Sequence, residues 1–152
     1  MRRIALTAAM ACATIAFATA TLADTAPEDA IKYRKTVMSA MSGHVGAFSL
    51  INFGRVAHPE YLQSHVRALA DLGAQVKVLF PAGSGTGETA ALPLIWQEQE
   101  RFNKLVAAIE KATAELRDAA AANDKAGIAK AFKAVGEACK GCHDRYRKKK
   151  DE

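Results

Sequence analysis

Apolar residues recur at three- and four-residue spacing in four separate stretches of the chain. This spacing places apolar side chains on one face of an α-helix, whereas a half-buried strand would alternate apolar and polar positions. We find no stretch with the strand pattern, so the chain is expected to be all-α. The four apolar stripes run from Met38 to Phe48, from Leu62 to Leu79, from Phe102 to Leu116 and from Ile128 to Tyr146.

Residues between the stripes predict where the helices begin and end. An Asp24 or Thr25 cap followed by Pro27 suits the start of the first helix. The loop over residues 80–93 is rich in glycine and proline, and residues 123–124 form a short turn. The helices should each be roughly 20–28 residues long, which exceeds the globular average. Apart from the loop over residues 80–93, the links between helices are short, so we expect an antiparallel up-down four-helix bundle. The second and third helices are expected to start at Pro59 and Pro93.

The first 23 residues have the pattern of a secretory signal peptide. Arg2 and Arg3 precede an uncharged, largely apolar run that ends in small residues at Ala23. An uncharged run of about 20 residues could in principle span a membrane. Much of this run is Ala and Thr rather than Leu or Ile, which favours a cleaved signal. We therefore expect residues 1–23 to be removed and residues 24–152 to form a periplasmic domain.

Composition and charge are those of one small globular domain. The chain has 152 residues, of which 50% are apolar and 24% charged, so a disordered chain is excluded. The formal net charge is +5, and without Arg2 and Arg3 it falls to about +3, which is too mild to indicate a polyanionic partner. Of three cysteines, Cys12 lies in the signal segment. Only Cys139 and Cys142 are left for chemistry, too few for a disulfide framework.

The two cysteines belong to a C-x-x-C-H motif, which is the signature of covalent haem attachment. Cys139 and Cys142 lie one helical turn apart, so their thiols can add to the two vinyl groups of one porphyrin. His143 follows at once and is suited to be the proximal axial ligand of the iron. Both cysteines also fall on the apolar stripe of the last helix. The group they hold should therefore lie against or inside the bundle, near the C-terminal helix.

Other uses of this motif fit the sequence less well. A zinc site needs four ligands, and His44, His58 and His65 are far away in sequence. A thiol–disulfide oxidoreductase places its C-x-x-C after a strand, and no strand is expected before Cys139. A structural disulfide would close a very small loop and would leave His143 without a role.

The motif and its surroundings resemble the class II c-type cytochromes, the cytochrome c prime family. A C-terminal C-x-x-C-H on the last helix of an exported four-helix protein is typical of that family. Residues 135–147 are similar to its final helix and residues 28–34 to its first, while residues 80–83 and 94–96 match more loosely. The resemblance covers essentially the whole chain after residue 23 and implies one covalently bound haem c.

The resemblance also implies individual haem contacts. Arg34 matches a residue that contacts a haem propionate, but Lys35 stands where the family usually has glutamine, and a solvated helix face would explain either side chain. Ser84 in the glycine-rich loop would touch the haem edge. By position, Cys139 and Cys142 match the thioether cysteines, His143 the axial ligand, and Arg147 an arginine close to the proximal haem face.

Met38 matches the family position that faces the other side of the iron. It could bind the iron through its sulfur, which raises the haem potential and closes the iron to small ligands. It could instead pack over the porphyrin as a core side chain. Both arrangements occur in the family. The small residues Ser42 and Gly43, which follow Met38 by about one turn, allow a close approach to the iron and so favour ligation. Met41 and His44 are poorer candidates.

Two functions follow, and a third is remote. The first is a periplasmic electron carrier, not an enzyme, that works with redox partner proteins. The second is a high-spin, five-coordinate protein that binds nitric oxide or carbon monoxide. A thiol–disulfide oxidoreductase is the remote alternative. The resemblance also allows a homodimer through the first two helices, and export makes a nucleic acid partner unexpected. A basic C-terminal run complements the helix dipole or docks an acidic partner or anionic lipid: Arg145, Arg147, Lys148, Lys149 and Lys150.

Overall fold

A computed structural model of the chain describes residues 25–149. It contains helices and no strand within that range, and no helix there is long and apolar enough to cross a membrane. The signal peptide expected over residues 1–23 lies outside the described part of the chain. The helices are α1 (Pro27–Asn52), α2 (Leu62–Gln75), α3 (Leu94–Gln97), α4 (Gln99–Ala121) and α5 (Lys125–Tyr146).

The four longer helices form a bundle in which α1 packs on α2, α2 on α4, and α4 on α5. The all-α four-helix fold expected from the apolar stripes is therefore confirmed. Each long helix contributes to one continuous core, and burying such an apolar side chain stabilises the fold by roughly 1.5–3 kcal/mol. The most deeply buried members include Phe48 of α1, Val66 and Leu69 of α2, Leu116 of α4 and Val135 of α5.

The start of α1 differs from the expected cap. Ala26 occupies the cap position and makes no side-chain hydrogen bond, while Pro27 stands in the first turn as expected. Thr25 does not cap the helix, and Asp24 lies outside the described residues. Proline alone suits this start, because its fixed φ is already helical and the first turn does not need its missing N–H.

The second and third predicted helices differ from the pattern, the second in length and the third in continuity. α2 has 14 residues and is extended at its two ends by single 3-10 turns, Pro59–Tyr61 and Val76–Val78. Such turns are common at helix ends. The third predicted helix is divided into α3 and α4 by Glu98, whose φ of −116° and ψ of 44° are not helical.

The carboxylate of Glu98 also anchors the C-terminal end of α5. Arg145 forms an ion pair with its carboxylate, and the Tyr146 hydroxyl donates a hydrogen bond of 3.0 Å to it. Past the helix, the chain pairs with the segment before α3 through Leu92 N–H to the Tyr146 carbonyl, 2.8 Å, and Lys148 N–H to the Ala90 carbonyl, 2.8 Å. These contacts, here called the C-terminal latch, fix the half of α5 that carries the C-x-x-C-H motif.

Candidate functional site

A contact between α1 and α5 shows which residues of α1 lie at the same height along the bundle as the motif. Phe48 of α1 and Phe132 of α5 pack with ring centroids 5.0 Å apart. The two helices are antiparallel, so moving ten residues, or about 15 Å, from this contact brings Met38 and Cys142 to the same level. The structure therefore brings Met38 of α1 and the C-x-x-C-H motif of α5 to the same end of the bundle.

Apart from that aromatic contact, α1 and α5 make few contacts with each other. Among the described residues, backbone packing runs through α1, α2, α4 and α5 in turn, and α1 and α5 do not pack closely against each other. Phe132, Gly136, Cys139 and His143 form one helical stripe on α5. A Cβ added at Gly136 would meet no atom within 4 Å. A flat group therefore has room beside this stripe.

Cys139 and Cys142 are half-buried and both pack against the core, as the apolar stripe predicted. They form no disulfide with each other. Burial raises the pKa of the Cys139 thiol, and burial together with neighbouring Cys139 raises the pKa of Cys142 to about 11. Both thiols are therefore protonated at neutral pH.

His143 is exposed at the surface of the polypeptide on the stripe that begins with Phe132. Partial desolvation, and secondarily the positive charge of Arg147, lower the pKa of its imidazole, while Asp144 opposes the shift. The side chain is therefore mostly neutral at pH 7, which is the form that binds a metal. Arg147 lies beyond the helix, exposed and bridged to Ala91.

Met38 is half-buried and packs against the core on the same side of α1 as Val45. Met41 is buried, with 7% of its surface exposed, and belongs to the core itself. The thioether of Met38 therefore lies at the edge of the packed interior, at the level of the cysteines. His44 points elsewhere, because its imidazole is hydrogen-bonded to His65 of α2.

Arg34 and Ser84 are brought together by the structure, and both are buried. The Nη1 of Arg34 donates to the Ser84 hydroxyl at 3.0 Å and to the Leu79 carbonyl at 3.2 Å. Its Nη2 donates to the Ser84 carbonyl at 3.0 Å and to the Thr89 hydroxyl at 2.8 Å. The guanidinium also lies 4.8 Å from the centre of the Phe80 ring. Arg34 thus ties the glycine-rich loop to α1.

The charge of Arg34 has no acidic partner. None of the ion pairs within residues 25–149 includes it. Desolvation lowers the pKa of the guanidinium, although it stays protonated at neutral pH. Lys35, by contrast, is exposed and lines a cleft of about 1040 Å³ between α1 and the loop at Thr86 and Glu88. The site therefore has a buried cation that an anionic group could neutralise.

Sequence reasoning missed Thr89 and the C-terminal latch. The latch joins Glu98 to Arg145 and Tyr146, which are more than forty residues away in sequence. No local pattern links such distant positions, since the contacts arise only when α5 packs beside α4. The one available signal was the run of five polar residues at 97–101, which includes Glu98 and precedes the apolar stripe that begins at Phe102.

The arrangement fits a haem c. Two free thiols stand one turn apart on α5, a neutral imidazole follows them, and the neighbouring side of the helix is open. Cys139 and Cys142 would hold the porphyrin by thioether bonds, and His143 would bind the iron. Among the described residues, no cluster of three or more metal-binding side chains offers a competing site.

Known proteins share both the sequence and the fold. The family profile described as Cytochrome C' matches residues 29–147. Cytochrome c prime of Rhodospirillum rubrum is 33% identical over 149 residues, covering 97% of this chain and 99% of that protein. A nitric oxide complex of a cytochrome c prime variant from Alcaligenes xylosoxidans is similar in structure, with a TM-score of 0.75 and 34% identity over 83% of this chain and 98% of that one.

A carbon monoxide-bound variant of the same Alcaligenes xylosoxidans protein also has a TM-score of 0.75, with 33% identity over 82% of this chain and 98% of that one. The sequence similarity extends from α1 to the latch, beyond the short motif on α5. Such coverage with a common fold establishes family membership. The chain therefore belongs to the cytochrome c prime family, whose members carry haem c.

Proposed function

We propose that this protein is a five-coordinate haem c protein that binds nitric oxide or carbon monoxide on its distal side. The observation that carries this proposal is the position of Met38, which packs against the core at the level of the motif. Variants of one relative with the same fold, the Alcaligenes xylosoxidans cytochrome c prime, bind nitric oxide and carbon monoxide. Gas binding, rather than the electron transfer favoured by sequence alone, is therefore our leading function, and it requires no catalytic residue.

Each residue of the site would have a simple task in this function. Cys139 and Cys142 would hold the group covalently, and His143 would bind the iron. When bound, haem iron would supply a redox couple and could bind a small gas. Met38 would cover the iron with an apolar side chain, exclude water and admit only small ligands. Arg147, whose charge lowers the pKa of His143, helps to keep the imidazole neutral and available.

Arg34 would neutralise a haem propionate. Its guanidinium is buried without an acidic partner in the described chain, and a buried cation is costly unless it is paired. Its hydrogen bonds to Ser84 hold the glycine-rich loop in place, so both residues would line the same side of the haem. Lys35, exposed at the nearby cleft, would reach only the outer edge.

Electron transfer is the second candidate function, and the sulfur of Met38 is the observation that favours it. A thioether at the level of the motif could become the sixth iron ligand after a small side-chain movement. The thiol–disulfide oxidoreductase function, in contrast, needs a thiolate. The raised pKa values of Cys139 and Cys142 oppose it.

We also propose export to the periplasm and contact with other proteins. The basic end of the chain supports docking of an acidic partner, although Arg145 is already paired with Glu98 and Lys150 is outside the described residues. The exposed cations are then Arg147, Lys148 and Lys149. A second copy could pack on exposed apolar side chains of α1 and the segment after it, namely Tyr33, Leu50, Phe53 and Tyr61.

The role of Met38 is tested by comparing the reduced haem-loaded protein with its Met38→Leu variant. If Met38 only packs, the two proteins have the same high-spin absorption spectrum, and both bind carbon monoxide. Met38→Ala should then bind the gas more tightly, because less side chain covers the iron. A wild-type low-spin spectrum that becomes high-spin in Met38→Leu would instead establish methionine ligation and electron transfer.

A further inference from the structure

His44 and His65 form a pair of imidazoles outside the haem site. His44 lies on α1 and His65 on α2, and their Nδ1 atoms are 3.0 Å apart with ring centroids separated by 5.3 Å. At this distance one Nδ1–H donates to the lone pair of the other ring. Both side chains are half-buried in the seam between the two helices. They serve no part of the proposed gas-binding function.

We propose that His44 and His65 chelate a divalent late-transition-metal ion through their two Nδ1 atoms, with copper(II) as the favoured metal. Neutral imidazole is a ligand for copper, nickel and zinc, and copper(II) binds nitrogen sites most tightly of the divalent first-row metals. Two nitrogens in contact across a helix–helix seam are already placed for one metal ion. The ion would replace the shared hydrogen bond.

The distance between the nitrogens favours a square-planar or octahedral metal. With metal–nitrogen bonds of about 2.05 Å, a separation of 3.0 Å gives a nitrogen–metal–nitrogen angle of about 95°. Neighbouring ligands in square-planar or octahedral sites are about 90° apart, which copper(II) and nickel(II) adopt. Tetrahedral zinc needs about 109°, so the helices would have to move apart slightly to accept it.

Binding requires little change in either side chain. The donating ring changes tautomer, its proton moving from Nδ1 to Nε2 by exchange with water, so both rings stay neutral. A small rotation of each ring turns the two lone pairs toward one point. Because both rings are partly exposed, they have the freedom to make this adjustment.

Water completes the coordination. No third His, Cys, Asp or Glu joins the pair within residues 25–149. Solvent can reach the metal because His44 and His65 are themselves partly exposed. The site would be a two-residue chelate, separate from the iron ligands.

The test is a calorimetric titration of the haem-loaded protein with copper(II). We expect one ion per chain, with an affinity about 10²-fold weaker in each of His44→Gln and His65→Gln, because a second tethered ligand adds at least that factor. His58→Gln is the matched control. That imidazole is exposed, contacts Glu60 rather than another histidine, and should leave the affinity unchanged.

A second measurement needs no variant. The electron paramagnetic resonance spectrum of copper(II) in the wild-type protein should show coupling to two imidazole nitrogens. The haem absorption spectrum and the metal-free unfolding temperature of each variant establish that it is folded and loaded. Wild-type affinity in His44→Gln or His65→Gln, an equal loss in His58→Gln, or coupling to fewer than two nitrogens would overturn the proposal.

Discussion

Arg34 joins the first helix to the glycine-rich loop through four hydrogen bonds of one buried side chain. Its position was evident in the sequence, yet its partners were not. Leu79, Ser84 and Thr89 become neighbours only when the loop folds back over α1. A solvated helix face, which sequence reasoning held equally plausible for Arg34, describes only its exposed neighbour Lys35.

Replacing Arg34 by methionine should destabilise the haem-loaded protein by about 2–4 kcal/mol, because buried carbonyl and hydroxyl groups lose their donors. The measurement is the free energy of unfolding in urea. Lys35→Met is the control and should change stability by less than about 0.5 kcal/mol, since that side chain is exposed. Equal effects of the two substitutions would contradict the role given to Arg34.

The C-x-x-C-H residues were predictable because all three functional side chains lie in one short stretch of sequence. Cys139, Cys142 and His143 lie within five consecutive positions, so helix geometry alone puts the thiols one turn apart. Met38 was harder to interpret. Whether its sulfur binds iron depends on an approach between α1 and α5 that neither helix specifies by itself.

The double variant Cys139→Ala/Cys142→Ala should leave no haem attached to the chain after denaturation, because no thiol is available to form a thioether. Haem staining of a denaturing gel measures this directly. His143→Ala should keep the covalent haem and change its absorption spectrum. Covalent haem on the double variant would refute the attachment through these two cysteines.

At the scale of helices, α2 and α4 pack closely at Gly73. A Cβ added at Gly73 would come within 2.4 Å of the Thr113 hydroxyl oxygen and 3.2 Å of its Cβ. The Thr113 hydroxyl is itself fixed by donating to the Ile109 carbonyl at 2.9 Å. Glycine at position 73 therefore allows the two helices to pack this tightly.

Gly73→Ala should lower the free energy of unfolding by about 1–3 kcal/mol, which is the usual cost of overpacking a core. Gly46→Ala is the control. It lies in α1 with no atom near the added methyl group, so it should stabilise by about 0.5–1 kcal/mol through helix propensity. The contact with Thr113 would be wrong if thermal or urea unfolding showed both variants equally stable.

The helix break at Glu98 was not predicted, because the third helix was expected to run without interruption from Pro93 into the stripe that begins at Phe102. At this break the Glu98 carboxylate accepts hydrogen bonds from Arg145 and Tyr146 of α5, which no pattern within α4 could indicate. The Arg145 hydrogen bond, helped by Tyr146, holds the pKa of Glu98 below its ordinary value of 4.5. Such a carboxylate adds stability above about pH 4.5, and this contribution is lost as the pH falls through the lower folded-state pKa.

Glu98→Gln should therefore unfold at a lower temperature than the wild type near pH 7, and the difference should shrink toward about pH 3. Unfolding temperatures followed by circular dichroism across this range provide the measurement. Glu100→Gln is the control, because Glu100 makes only an exposed pair with Lys104. A difference for Glu98→Gln that is independent of pH would show that the latch is not electrostatic.

For the whole molecule, the bundle was predictable because four apolar stripes with short links have few other ways to pack. The opening between α1 and α5 was not. It depends on α1 and α5 meeting at Phe48 and Phe132 without packing closely along the rest of their length. This arrangement brings Met38 to the level of the motif, where the proposed haem would lie.

The central claim is that Met38 packs over the distal side of the iron without binding it. The visible absorption spectrum of the reduced, haem-loaded protein tests this most directly. We expect a broad, unsplit high-spin spectrum that shifts when carbon monoxide is added, because Met38 packs without binding. A sharp, split low-spin spectrum that does not respond to carbon monoxide would contradict the account and make the protein an electron carrier with Met38 as an iron ligand.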